Sequence, residues 1–359
     1  MLFRSAVAGL VSGEHGAAAL WRSREKEAFA HGRECLSPET PCRFIVTRRR
    51  GRSKLLPMVR DRWQFTSAPF TGLLEPAAFH CGGPQEEALA RLEWLVEQRQ
   101  RFALVTGEEG IGKSHLAAVA VRRMAGLGAE TALLSLRGLA AGDWIDLLLS
   151  RLPLDAIARA ETVRPWQKLE NRLRENTLME RPTAIIFDDL DHAPADAIDG
   201  VARIVGAGEP LYARAVVVAT ATPAGLARIP QAIRGRAAVR VELAPWGEED
   251  VAGFIAGSLR RAGGSPDLFS ADAIGTITRF AGGVPRTVCQ LAHLATVAGA
   301  GEGRTQIDAA VIESVWRELA PVATPHASHV PSADASDGGQ DQPLPPPHPR
   351  VRAVRKLWG

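Results

Sequence analysis

No apolar run in the 359 residues reaches the roughly 18 that a membrane-spanning helix needs. The first twenty residues do not read as a targeting peptide either: Arg4 and a short apolar run to Val11 are interrupted by Glu14 and His15. Cysteine is scarce and scattered, at Cys35, Cys42, Cys81 and Cys289, with no C-x-x-C pair. That spacing excludes a disulfide framework and a zinc knuckle, and a reduced cytoplasm is the expected compartment. A strong charge of one sign is also missing, the formal balance being +3. The charge is unevenly placed, because residues 1–60 hold twelve Lys and Arg against five Glu. The rest of the chain is therefore mildly acidic, which argues against a globally basic nucleic-acid surface and leaves a local patch open.

What the sequence does contain is a strand, a glycine loop and a helix in immediate succession. Phe102 to Thr106 is a short apolar run suited to a buried strand, and the eight residues after it match G-x-x-x-x-G-K-[ST] without substitution. The loop consists of Gly107, Glu108, Glu109, Gly110, Ile111, Gly112, Lys113 and Ser114, with His115 next in the helix. Glycine at 107, 110 and 112 lets backbone N–H groups turn inward around a polyphosphate, where a Cβ would obstruct the approach. The helix start contributes its positive end. Lys113, taken as a residue on a solvated loop, is expected to reach the β- and γ-phosphates of ATP, and the Ser114 hydroxyl to ligate Mg²⁺.

A second acidic feature follows at Thr183-Ala-Ile-Ile-Phe-Asp-Asp-Leu-Asp191. Four apolar residues ending in acid describe a buried parallel strand that delivers carboxylates to the ligand-binding edge of a doubly wound sheet. Asp188 is expected in the Mg²⁺ shell, and Asp189 to orient or deprotonate the attacking water. Further strands are expected at Thr131–Leu136, at Arg214–Thr220 and within Ile233–Leu243, and helices at Glu86–Gln100, Leu116–Met124, Asp143–Leu152, Trp166–Leu178 and Ala195–Val205. Strands alternating with helices make an α/β parallel sheet. From Pro245 the pattern changes to helices alone, at 248–262, 270–281, 284–298 and 308–319.

The ends differ in composition. Residues 1–57 carry Arg, Gly and Pro without periodicity, including Arg48-Arg-Arg-Gly-Arg-Ser-Lys54, and read as a solvated basic extension in preference to a nucleic-acid arm. Met58 is a candidate initiator. Residues 321–359 are rich in Pro, Ser, His and Asp and read as a disordered tail. Its last residues, Val351 to Trp358, are basic and amphipathic, a frayed end or a docking peptide.

From Phe65 to Leu319 the order of parts resembles an AAA+ P-loop ATPase, in particular the ExeA/MshM-type family named for the general secretion pathway protein A. The carriers are Pro69-Phe70, the loop at 107–114, Asp188-Asp189, and Thr222-Pro223 where that family has Gln-Pro. Two more are Ile233-Arg-Gly-Arg-Ala-Ala-Val-Arg-Val-Glu-Leu-Ala-Pro245 and Gly282-Gly-Val-Pro-Arg286. The resemblance implies an α/β nucleotide-binding domain at 58–244 with a five-stranded parallel sheet, and a helical lid domain at 245–320. It implies Thr222 as a polar sensor, with Thr220 as the alternative. It further implies Arg236 as an arginine finger completing a neighbour's site in a homo-oligomer, with Arg234 as runner-up and Arg240 supporting the strand. Arg286 is then the lid residue that contacts the γ-phosphate.

One departure matters chemically. Asp189 stands where most AAA+ proteins have Glu, so its carboxylate is one methylene shorter and slow hydrolysis is expected. Two tasks stay open: energy coupling to an unidentified protein partner in envelope secretion or pilus-type assembly, at the inner-membrane periphery, or an ATP-dependent switch that recruits a DNA transaction complex. The membrane span and cell-wall-binding domain of some relatives have no counterpart in the residues read here, and the fold does not choose the task.

Overall fold

Strand β3 (Thr183–Asp188) and strand β4 (Ala215–Ala221) are buried at every position, as parallel strands covered on both faces must be. They form the middle of a five-stranded, wholly parallel sheet with β1 (Phe102–Thr106), β2 (Glu130–Ser135) and β5 (Val239–Glu242), in the order β2-β3-β4-β1-β5. The structure is a computed structural model that describes residues 57–319, apart from 73, 75, 155–162 and 207. The basic extension before residue 57 and the tail after 319, with its 351–358 segment, lie outside the described residues.

Side chains alternate across a strand, so each sheet face collects its own set. Phe102, Leu104, Ile185, Phe187, Val217 and Ala219 face one way. They pack under helices α4 (Asp143–Arg151), α5 (Pro165–Leu178) and α6 (Ala195–Gly206), through Trp144, Leu148, Leu169, Leu173 and Val201. The alternate positions Ala103, Val105, Ala184, Ile186, Val216 and Val218 meet α2 (Gly83–Glu97) and α3 (Lys113–Gly126). Pairing Ser135 with Asp188, and Thr106 with both Ala221 and Glu242, brings the carboxyl ends of all five strands to one edge.

The remaining helices are α1 (Pro57–Trp63), the short α7 (Gln231–Arg234), α8 (Glu248–Arg261), α9 (Ala271–Ala281), α10 (Pro285–Gly301) and α11 (Ala309–Leu319). Ser270 caps α9 by accepting from the Ala273 N–H, and Pro285 opens α10 where its missing N–H costs nothing. Helices α8 to α11 bury a core of their own, and the N-terminal lead-in belongs to it. Val59, Trp63, Phe65 and Phe70 pack among Val251, Leu259, Ile277 and Leu291. Trp63 Nε1 donates to the Thr296 carbonyl at 2.9 Å, and Thr66 N donates to the Ala262 carbonyl at 2.8 Å. The last strand is shorter than the 233–243 run suggests. Pro230 starts a helical turn that ends at Arg234, and only Val239–Glu242 joins the sheet.

Candidate active site

The loop after β1 is shaped by two glycines with positive φ, Gly110 at 82° and Gly112 at 100°, where an L side chain is strained. A Cβ on Gly110 would also stand 3.0 Å from Arg286 Cβ and 3.1 Å from Val284 Cγ1. The first turn of α10 therefore rests directly on the loop, and the Arg286 N–H donates to the Gly110 carbonyl at 3.2 Å. Arg286 itself is exposed.

Lys113 is not on a solvated surface. It is 6% exposed at the start of α3, and its ammonium donates to the carbonyls of Gly107 (2.7 Å) and Glu108 (3.0 Å). Burial pushes its pKa below the usual lysine value, against the pull of Asp189, Asp191, Asp188 and Glu109. Within the loop Ile111 is buried, and a Cβ on Gly107 would stand 2.8 Å from its Cγ2. The ring of His115 meets Phe79 edge-on at 5.1 Å.

Beside Lys113 lies the end of β3. Asp188 is buried and takes hydrogen bonds from the Ser114 and Thr220 hydroxyls, the latter at 2.6 Å. Burial raises its pKa, and those two hydrogen bonds and Lys113 only partly offset the effect. Thr220 also accepts from the Asp189 N–H at 2.9 Å, so one hydroxyl ties β4 to both acids. Asp189 is a non-glycine residue in the left-handed region, with φ 59°. Its carboxylate Oδ2 accepts from Arg137 Nε at 3.1 Å, while Arg137 Nη2 donates to Glu109 Oε1 at 3.1 Å.

Thr222 is engaged elsewhere. Its hydroxyl donates to Asp191 Oδ2 at 2.6 Å and accepts from the Gly225 N–H at 3.0 Å. Burial acts to raise the Asp191 pKa, but the Thr222 hydrogen bonds outweigh it and hold the carboxyl below its usual range. Arg236 is exposed and donates from Nη1 to the Gly206 carbonyl at the end of α6 (2.9 Å). Arg234 donates to the Ile229 carbonyl and Arg240 to the Arg234 carbonyl, both at 3.0 Å. None of these three is in hydrogen-bonding contact with the loop or the acids.

Loop, Asp188, Asp189 and the start of α10 are thus brought together; Thr222 and Arg236 are not part of that contact. Arg137 escaped the sequence reading. The available signal was its position, two residues beyond β2 at the ligand-binding edge of the sheet.

The residues fit a magnesium nucleotide. Positive φ at Gly110 and Gly112 leaves the loop backbone bare of side chains, its amides open to an anion, and the hydrogen-bonded Ser114 and Asp188 offer two oxygens side by side. Among the described residues no three His, Cys, Asp or Glu side chains form a self-sufficient metal site. Two protein oxygens suit an ion such as Mg²⁺, which keeps waters and takes phosphate ligands.

Strand order, loop and C-terminal helices define the fold of the AAA+ P-loop ATPases. The chain is 22% identical over 245 residues to the general secretion pathway protein A of Aeromonas hydrophila, a match that covers 67% of this chain and 44% of that protein. It thus spans under half the length of this curated relative. Among solved structures, the ORC2 protein of Aeropyrum pernix in its ADPNP–ADP complexes superposes with a TM-score of 0.52 at 13% identity. That match covers 66% of this chain and 68% of the other. Drosophila ORC bound to DNA gives a TM-score of 0.56 at 17% identity, over 86% of this chain and 75% of the other. No family model matches the sequence. Among the described residues no helix is long and apolar enough to cross a membrane.

Proposed function

We propose that the protein binds Mg·ATP on the 107–114 loop and hydrolyses it as an oligomeric module that passes the nucleotide state to a partner. The observation that carries this reading is Asp188. It hydrogen-bonds both Ser114 of the loop and Thr220 of the neighbouring strand, while the start of α10 rests on Gly110 of the same loop. A phosphate there would touch loop, acid and lid at once.

The ion would neutralise charge on the phosphates; the chain's own residues supply the rest. With the nucleotide bound, Lys113 would exchange its loop carbonyls for phosphate oxygens, Ser114 and Asp188 would hold the ion, and Asp189 would orient water. Thr220 is our choice for the polar sensor in place of Thr222, because its hydroxyl joins Asp188 to the Asp189 backbone. Arg286 approaches from the lid. Arg236, exposed and held at the end of α6, completes the site of the next protomer. We keep the lid at 245–320 and add residues 57–70 to it, since their apolar side chains share its core.

The likeness to the general secretion pathway protein A supports energy coupling in envelope assembly as the first reading of the task. The fold likeness to a DNA-bound ORC supports a DNA-directed switch as the second. The shared step is tested by mixing two inactive variants, Arg236→Ala and Lys113→Ala, and measuring phosphate release. Mixed assemblies contain some intact sites and should recover partial turnover. Full turnover in Arg236→Ala alone would overturn the trans finger, and unchanged ATP affinity in folded Lys113→Ala would overturn the loop assignment.

A further inference from the structure

Helices α5 and α6 border an open cleft of about 390 Å³ that contains none of the residues assigned to nucleotide chemistry. Three arginines line it: Arg164, Arg174 and Arg203. The cleft's single carboxylate, Glu170, is consumed internally. Its Oε1 accepts from Trp166 Nε1 (2.8 Å), Tyr212 OH (2.7 Å) and Arg203 Nη2 (2.6 Å). Arg203 also lies over the Trp166 ring, 4.4 Å from its centroid, a cation–π contact that ties the guanidinium to the cleft wall.

The other two guanidiniums are uncommitted. Arg164 and Arg174 are exposed and carry no ion pair among the described residues; Arg174 donates only to Asn171 Oδ1 at 3.0 Å. Positions 167, 171 and 174 follow the three-and-four spacing of one helix face, and Arg164, the residue just before the helix, lines the same cleft. Arg164, Gln167, Asn171 and Arg174 therefore form a row of planar donors about 15 Å long, at 1.5 Å rise per residue. With Glu170 counted, the cleft keeps a surplus of two positive charges.

We infer that this cleft binds the sugar–phosphate backbone of a nucleic acid. A single small anion would leave most of the row unused, whereas successive phosphates of one strand recur about every 3.4 Å along a duplex axis. A protein partner needs an apolar or aromatic anchor at the centre of its interface. Here the one ring, Trp166, is covered by Arg203, and the rest of the lining is polar, as nucleic-acid interfaces are. Contacts of this kind position the strand without reading its sequence. The site gives the second reading of the task a contact surface and depends on no role assigned to the P-loop. Leu178 and Met179, exposed just beyond the row, make an acidic protein the rival occupant.

The test is fluorescence anisotropy of the full chain, without ATP, on labelled mixed-sequence 30-mers, single-stranded and duplex, at 50 to 300 mM salt. Arg164→Gln/Arg174→Gln should weaken binding about ten-fold or more at the lowest salt. It should also reduce the slope of log K against log salt by about 1.5 to 2, the loss of two phosphate contacts. Arg164→Lys/Arg174→Lys should restore the slope, which a folding defect would not allow, and Arg317→Gln on α11 should change nothing. The inference is overturned by absent binding at 50 mM salt, or by an unchanged slope in the Gln variant, which assigns binding to the 1–57 segment or another surface. It is also overturned if labelled polyglutamate, and not the oligonucleotides, depends on the two arginines.

Discussion

Arg137 and Asp189 form an ion pair across the carboxyl edge of the sheet, Nε to Oδ2 at 3.1 Å, between residues 52 positions apart. The same guanidinium holds Glu109 of the P-loop. The carboxylate expected to orient water is thus engaged by a cation from the loop after β2, and that cation also contacts the loop after β1.

Removing that engagement should free Asp189. Arg137 is about half exposed, so the pair is worth only about 0.2 to 1 kcal/mol. The expected outcome for Arg137→Gln is a rise in basal kcat of up to about five-fold, with little change in KM. Steady-state phosphate release at saturating ATP measures it. A fall in kcat would mean that the arginine assists turnover instead of restraining it.

The two threonines near the end of β4 should separate cleanly. Thr220→Val removes the hydroxyl that joins Asp188 to the Asp189 backbone, and should lower kcat about ten-fold or more with a smaller change in ATP affinity, since the interaction serves the transition state. Thr222→Val leaves the fully buried Asp191 without its hydroxyl partner and should cost about 1 to 3 kcal/mol of stability. Thermal melts and turnover measured on both variants give the comparison. A large kcat loss in the folded Thr222 variant alone would restore Thr222 as the sensor.

Lys113→Ala should abolish ATP binding while leaving stability within about 1 kcal/mol, because two lost carbonyl contacts are offset by relief of a buried ammonium. Titration of a fluorescent ATP analogue, with circular dichroism alongside, checks both halves. A melt lowered by many degrees would make the lysine a structural pin in the apo loop.

His80 carries a pH signature. Burial lowers its pKa, against the nearby Asp250 carboxylate and with help from Arg261, while the Trp246 and Phe254 rings pack against it edge-on. The folded state therefore prefers the neutral ring, and the unfolded chain binds the extra proton. This stabilisation is complete above the ordinary histidine value of about 6.5 and is lost as pH falls through the depressed folded value. Melting temperatures from pH 7.5 to 5 should fall less in His80→Gln than in the parent. Parallel curves would exclude His80 as a source of the acid sensitivity.

What the sequence by itself determined was whatever is contiguous in the chain. The P-loop is eight successive residues whose backbone does the work, and Thr183–Asp188 announces a buried strand ending in acid by its own composition. Helices after 245 were legible from periodicity, and so was an α/β parallel sheet from the alternation of elements, its five strands being what the family resemblance implied. Only the tertiary structure decided the relations between distant segments. Thr220 and Thr222 are two residues apart and alike in type; the β3–β4 register alone sets the first beside Asp188, while the second falls past the strand end onto Asp191. Arg137 acquires its partners because parallel strands deliver three separate loops to one edge. The lead-in at 57–70 joins the helices after 245 because its aromatic rings find an apolar core there, a choice settled by burial over some two hundred residues of separation. Composition also averaged away the cleft arginines, since a mildly acidic chain can still concentrate guanidinium groups wherever one helix face repeats every three or four residues.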